Sequence, residues 1–102
     1  MNAKPDIAIS DAEWIIVRDI LQKYVPGYSV WAFGSRVRQT HKPFSDLDIV
    51  VVADQPLALS TLAQLSEAFS ESDRPWKVDV VDWASIGETF RRHIEVQKKS
   101  IQ

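Results

Sequence analysis

Apolar residues in the first quarter of the chain recur every three or four positions. Trp14, Ile15, Val17, Ile20, Leu21 and Tyr24 follow a 3.6-residue period, which predicts an amphipathic helix. Ser10-Asp-Ala-Glu13 forms a capping box at its start, with a hydroxyl for an early backbone amide and a glutamate that reaches back. Pro26-Gly27 stops the helix. Residues 1–9, ahead of the cap, read as a loose arm.

The period then changes. Tyr28 to Phe33 is rich in aromatic and β-branched residues and predicts a strand. Gly34-Ser35 predicts a turn, Arg36 to Gln39 a short helix, and His41-Lys-Pro-Phe-Ser45 a loop around Pro43. Asp46 to Ala53 predicts a second strand, and its unbroken Ile49-Val-Val-Val52 run predicts burial on both faces. Leu57 to Ser70 predicts a second long helix with Leu62, Leu65 and Phe69 inward. A connector over Glu71 to Pro75 leads to a third strand, Trp76 to Trp83. Ser85-Ile-Gly-Glu88 has the form of a second capping box, opening a helix through Phe90 and Ile94. The order α-β-(α)-β-α-β-α predicts an α/β (α+β) fold, a small mixed sheet of at least three strands with helices packed on it. No repeat or long linker interrupts it, so residues 1–102 read as one domain.

Composition narrows the classes. The 102 residues are 45% hydrophobic and 25% charged, ordinary for a globular protein. Twelve basic and 14 acidic residues give a net charge of −2, which argues against bulk nucleic-acid binding. There is no cysteine, so neither a disulfide nor a thiolate metal site can form. No apolar run suits a membrane span, and Met1 to Asp6 lacks the apolar core of a signal peptide, which gives a cytoplasmic expectation.

The chemistry lies between the first two strands. Asp46 and Asp48 stand two apart at the start of a strand and so point the same way. Two neighbouring carboxylates repel and need a compensating charge. Mg²⁺ suits them, because it prefers oxygen and commonly joins one or two carboxylates to substrate phosphates. Asp79 interrupts the apolar run of the third strand, where an unpaired charge is expensive. Beside the second strand it would complete a three-carboxylate site able to hold two metals. Gly34 admits a phosphate close to the backbone, Ser35 adds a hydroxyl, and Arg36 is placed to meet phosphate charge.

Each fragment alone has an ordinary explanation: a turn, a solvated acidic pair, surface arginines. Arg38 is read as such a surface charge, Asp82 as a cap or helix lead-in opposite Asp79, and His41 as exposed. His93 reads as surface or partly buried, and Trp14, Trp31, Trp76 and Trp83 as core or partner-surface residues. No Gly-x-x-x-x-Gly-Lys or Gly-x-Gly-x-x-Gly pattern is present. What favours a site is coincidence: Gly-Ser after one strand, Asp-x-Asp opening the next, and a lone Asp on a third.

Gly34-Ser35, ten residues, Asp46-Leu-Asp48, then Asp79 resembles the signature of the DNA polymerase β-like nucleotidyltransferase superfamily. Val30-Trp-Ala-Phe-Gly-Ser-Arg36, Phe69-Ser-Glu-Ser-Asp73 and Pro75-Trp-Lys-Val-Asp79 resemble its minimal nucleotidyltransferase (MNT) group over nearly the whole chain. The resemblance implies Asp46, Asp48 and Asp79 as Mg²⁺ ligands and catalytic residues, and Gly34, Ser35 and Arg36 as nucleotide contacts. It implies transfer of a nucleoside monophosphate, AMP from ATP or another NTP, to an acceptor hydroxyl with release of pyrophosphate. It also implies a HEPN-domain partner, commonly a toxin, with this chain as antitoxin; a homo-oligomer is compatible with it. Two rivals stand beside that reading. One is a non-catalytic module that neutralises its partner by contact. The other is a small-molecule nucleotidyltransferase, which usually carries a further domain for the acceptor.

Overall fold

The computed structural model describes residues 3–73 and 76–102; part of the expected connector, Arg74 and Pro75, lies outside the described residues. The capping box at Ser10 forms as the sequence predicts. Its hydroxyl accepts from Glu13 N at 3.1 Å, and Ser10 N donates to the Glu13 carboxylate at 2.8 Å. Helix α1 follows, Asp11–Tyr24, burying Trp14, Val17 and Leu21 while Ile15 stays on the outer side. Strand β1 is Ser29–Phe33, α2 is the single turn Ser35–Arg38, and β2 is Leu47–Val52. Helix α3 is Leu59–Glu71, β3 is Val78–Asp82, α4 is Glu88–Glu95 and β4 is Lys99–Ser100.

The sheet order is β3-β2-β1-β4. β1 runs antiparallel to both β2 and β4, and β2 runs parallel to β3, with α3 as the crossover. Side-chain alternation divides the sheet into two apolar layers. Val30, Ala32, Leu47, Ile49, Val51 and Val78 meet Leu21, Leu65 and Phe69 of α1 and α3. Each large apolar side chain buried there contributes about 1.5–3 kcal/mol. On the other face Phe33, Val50 and Ile94 form a smaller cluster with Trp31, Val81 and Trp83 at its margin. No helix among the described residues is long and apolar enough to cross a membrane.

Four local expectations are corrected. The described part of the arm is not loose: Ile7 and Ile9 are buried in the main core, and Ala8 N donates to Arg36 O at 2.9 Å. Two isoleucines one residue apart present adjacent apolar side chains that the core accepts. α3 begins at Leu59 rather than Leu57, because Leu57 is buried and its amide is held by the Asp82 carboxylate at 3.1 Å. Ser85 caps no helix; its hydroxyl donates to the same Asp82 carboxylate at 2.8 Å, and Gly87 precedes α4 without a side-chain cap. α4 ends at Glu95, and the polar pair Lys99–Ser100 joins the sheet as β4, opposite Ala32 and Trp31. Its anchor is the buried Ile101, whose amide donates to Val30 O at 2.9 Å.

Candidate functional site

β1 delivers Gly34 to the end of the sheet. The residue adopts φ +85°, a left-handed conformation that glycine enters without a side-chain penalty. Its carbonyl accepts from Val37 N at 3.1 Å and Arg38 N at 3.0 Å, which closes the α2 turn. The register places Phe33 opposite Asp48 and Asp48 opposite Asp79. Phe33, Asp48 and Asp79 therefore form a row across three strands at one end of the sheet, and Gly34 leaves β1 directly after Phe33. The parallel β2/β3 pairing makes this possible, since each aspartate is the second residue of its strand.

A Cβ built on Gly34 would overlap Asp48 Oδ2 and stand 3.2 Å from Asp48 Cγ. The glycine is thus required twice, by its backbone conformation and by the carboxylate packed on it. Burial pushes the Asp48 carboxyl up to about 6, helped by the charges of Asp79 and Asp46 and opposed by Arg38.

Asp79 departs from the sequence expectation in one respect. It is half exposed (50%), with Lys77 Nζ 4.0 Å away at the solvent edge, rather than buried in a central strand. β3 is an edge strand, so its carboxylate faces the opening of the site. Asp82 lies on the opposite face, as alternation predicts, and holds the N-cap position of the 3-10 turn Trp83–Ser85 without a side-chain bond to that turn's backbone. It joins the end of β3 to Leu57 and Ser85.

Arg36 sits differently from the placement the sequence suggests. Only 4% exposed, its guanidinium turns inward rather than toward a phosphate. Nε donates to Ser45 O at 2.9 Å, Nη2 to Pro43 O at 3.1 Å and Nη1 to Ala8 O at 2.7 Å, while the group lies 4.8 Å from the Trp76 ring centroid. Burial draws its pKa down, against the opposing charges of Glu13 and Asp46. The side chain ties the N-terminal segment, the loop before Asp46 and the start of β3 into one unit. Lys42 N, donating to Ser45 Oγ at 2.8 Å, tightens the same loop. Phe44 stays 75% exposed at its tip. His41 is partly buried, not exposed, and His93 is exposed and stacked on Phe90.

The sequence reading missed two residues at this site. Arg38 is exposed, as the sequence reading expects, yet it also bears on Asp48, and its Nη1 donates to Gln97 Oε1 at 3.3 Å. Gln97 reaches back from the end of α4 to accept from Gly34 N at 2.8 Å. No local pattern could reveal that contact, which joins residues 63 positions apart. Two surface cavities, about 310 and 300 Å³, lie between α1 and α3 and share no residue with the carboxylates.

The donor set fits a hard divalent cation: all-oxygen, multiply charged, and costly to ionise without one. Among the described residues no group of three or more histidine, aspartate or glutamate side chains is placed to hold a metal ion by itself. An open set of this kind suits an ion whose remaining ligands arrive with a phosphate substrate.

A mixed sheet that lines up a glycine turn with carboxylates on two neighbouring strands is the architecture of a nucleotidyltransferase. The nucleotidyltransferase domain family model matches residues 15–101. A Haemophilus influenzae protein named "Probable protein adenylyltransferase MntA" is 48% identical over 94 residues, covering 92% of this chain and 82% of its own length. A solved toxin–antitoxin structure with AMP-PNP superposes with a TM-score of 0.73 at 24% identity, over 91% of this chain and 73% of that one. A complex of a tri-AMPylated Shewanella oneidensis HEPN toxin with MNT antitoxin gives 0.68 at 22% identity, over 92% and 72%. At such identities the two structures speak to the fold. The chain belongs to the nucleotidyltransferase domain family.

Proposed function

We propose that this chain transfers AMP from ATP to a hydroxyl of a HEPN-domain partner and thereby acts as its antitoxin, with residues 1–102 working as one catalytic domain. The observation that carries this reading is the packing of Gly34 on Asp48 with Asp79 opposite Asp48, and Asp46 two residues ahead. The relative's name as a protein adenylyltransferase supports AMP as the group transferred. The AMPylated HEPN toxin seen with an MNT antitoxin supports the class of acceptor.

Asp46, Asp48 and Asp79 would hold Mg²⁺, which supplies charge neutralisation at the triphosphate and lowers the pKa of an attacking hydroxyl. Gly34 and Ser35 line the triphosphate subsite, where the absence of a side chain at Gly34 lets the Asp48 carboxylate pack against the turn. Asp79, at the open edge, receives the proton of the acceptor hydroxyl. The acceptor oxygen bonds to the α-phosphorus, the bond from that phosphorus to the bridging oxygen breaks, and pyrophosphate leaves. Positioning and electrostatics supply most of the rate in such a transfer. Arg36 contributes by fixing the loop that aims Asp46.

The test is incubation of the protein with its HEPN-domain partner and ATP labelled at either the α- or the γ-phosphate. Label from the α-position only, retained on the partner, is the expected result. Label from the γ-position would instead mean a kinase. Neutralisation of the partner without any label would mean an antitoxin acting by contact.

A further inference from the structure

Gly34 N–H and the Arg38 guanidinium converge on a single oxygen, Oε1 of Gln97, at 2.8 and 3.3 Å. The other end of the amide fixes its orientation, since Nε2 donates to His93 O at 3.0 Å. Turning the amide over would set its N–H against that of Gly34. Gln97 is therefore presented as an acceptor to one backbone donor and one cationic donor at the mouth of the glycine turn. That pair is the kind that holds a phosphate oxygen.

We propose that Gln97 is a built-in surrogate for a phosphate oxygen: it occupies the triphosphate subsite when no nucleotide is bound and must be displaced for the triphosphate to enter. The inference rests on the reading of Gly34 and Ser35 as triphosphate contacts. The physical case is an exchange of acceptors. Without Gln97, the amide of the buried Gly34 would lose its partner in the nucleotide-free protein, which is unfavourable for a buried donor. An amide oxygen is neutral, whereas a phosphate oxygen is charged, and charge-assisted hydrogen bonds are roughly twice as strong. The incoming triphosphate therefore wins the donors, and on departure of pyrophosphate Gln97 can reclaim them. Gln97 follows the last turn of α4, so its side chain can swing without unpacking the buried Ile94.

The test is calorimetric titration of Mg·ATP, pyrophosphate and adenosine into the wild-type protein, Gln97→Met and Gln97→Glu. Methionine keeps the length of the side chain and removes the acceptor. Glutamate keeps an acceptor and adds a charge that pairs with Arg38 and repels phosphate. We expect Gln97→Met to bind Mg·ATP and pyrophosphate about 5- to 10-fold more tightly than wild type, with adenosine unchanged. Gln97→Glu should bind both phosphates at least about 10-fold more weakly. Should Gln97→Met fail to fold, the Gln97→Glu comparison still decides. Wild-type binding with unchanged or weaker phosphate affinity in Gln97→Met overturns the surrogate role alone, as does unchanged affinity in Gln97→Glu. A wild-type protein that binds neither Mg·ATP nor pyrophosphate overturns the triphosphate site itself.

Discussion

Gly34 and Asp48 pack so closely that the glycine has no room for a side chain: a Cβ would overlap the Asp48 carboxylate. The turn and the carboxylate are thus one structural unit. Gly34→Ala adds the cost of a backbone region essentially confined to glycine (φ +85°, ψ −160°), about 1–3 kcal/mol, and displaces Asp48. We expect a loss of about 1–3 kcal/mol in urea unfolding and a fall in AMP transfer of more than about tenfold. Unchanged transfer in Gly34→Ala would mean that Asp48 needs no such neighbour.

The raised Asp48 pKa makes a signed prediction. Between its ordinary value of 3.8 and about 6 in the fold, the native state holds a proton that the unfolded chain has released. This carboxyl's contribution to stability is therefore fully present below pH 3.8 and is lost as pH rises through about 6. Asp48→Asn should remove that slope and stabilise the metal-free protein at pH 7.5 by on the order of 1–2 kcal/mol, allowing for solvent screening. Denaturation curves of both proteins from pH 4 to 8 check it. With Asp48 as the proposed Mg²⁺ ligand, the ion would compete with the same proton, so Mg·ATP binding should strengthen as pH rises through about 6.

On the proposed reading, Arg36 braces the site rather than touching the nucleotide. Its three carbonyl partners come from separate segments, and a lysine cannot reproduce that fork. Arg36→Lys should cost on the order of 2–3 kcal/mol of stability and lower transfer rate, while ATP affinity changes less than about threefold. A loss confined to ATP affinity, with stability intact, would restore Arg36 as a phosphate contact.

Asp82 gives the matching control on the far face of β3. At 8% exposure it holds the Leu57 amide and the Ser85 hydroxyl. Asp82→Ala leaves the Leu57 amide without that acceptor, so we expect a loss of about 1–3 kcal/mol. Mg·ATP affinity, measured below the melting temperature, should be unchanged.

What the sequence reveals here is what local patterns encode. The capping box at Ser10, the strand leading to Gly34 and the apolar run after Asp48 each follow from neighbours within a few residues, and all form. Alternation also places Asp48 and Asp79 on one face and Asp82 on the other. The sequence cannot show where a long side chain turns. Arg36 looks like a phosphate ligand by position, yet its acceptors at Ala8, Pro43 and Ser45 exist only once three segments meet. Gln97 is hidden for the same reason. The two-residue β4 carries too few residues for a period, and only its pairing with Trp31 and Ala32 defines it.

The most direct test of the central claim separates chemistry from docking. Asp48→Asn and Asp79→Asn are each mixed with the HEPN-domain partner and α-labelled ATP, and complex formation and label transfer are measured on the same samples. Both variants should bind the partner as wild type does and lose label transfer by at least about 100-fold. Transfer that survives either substitution would contradict the account.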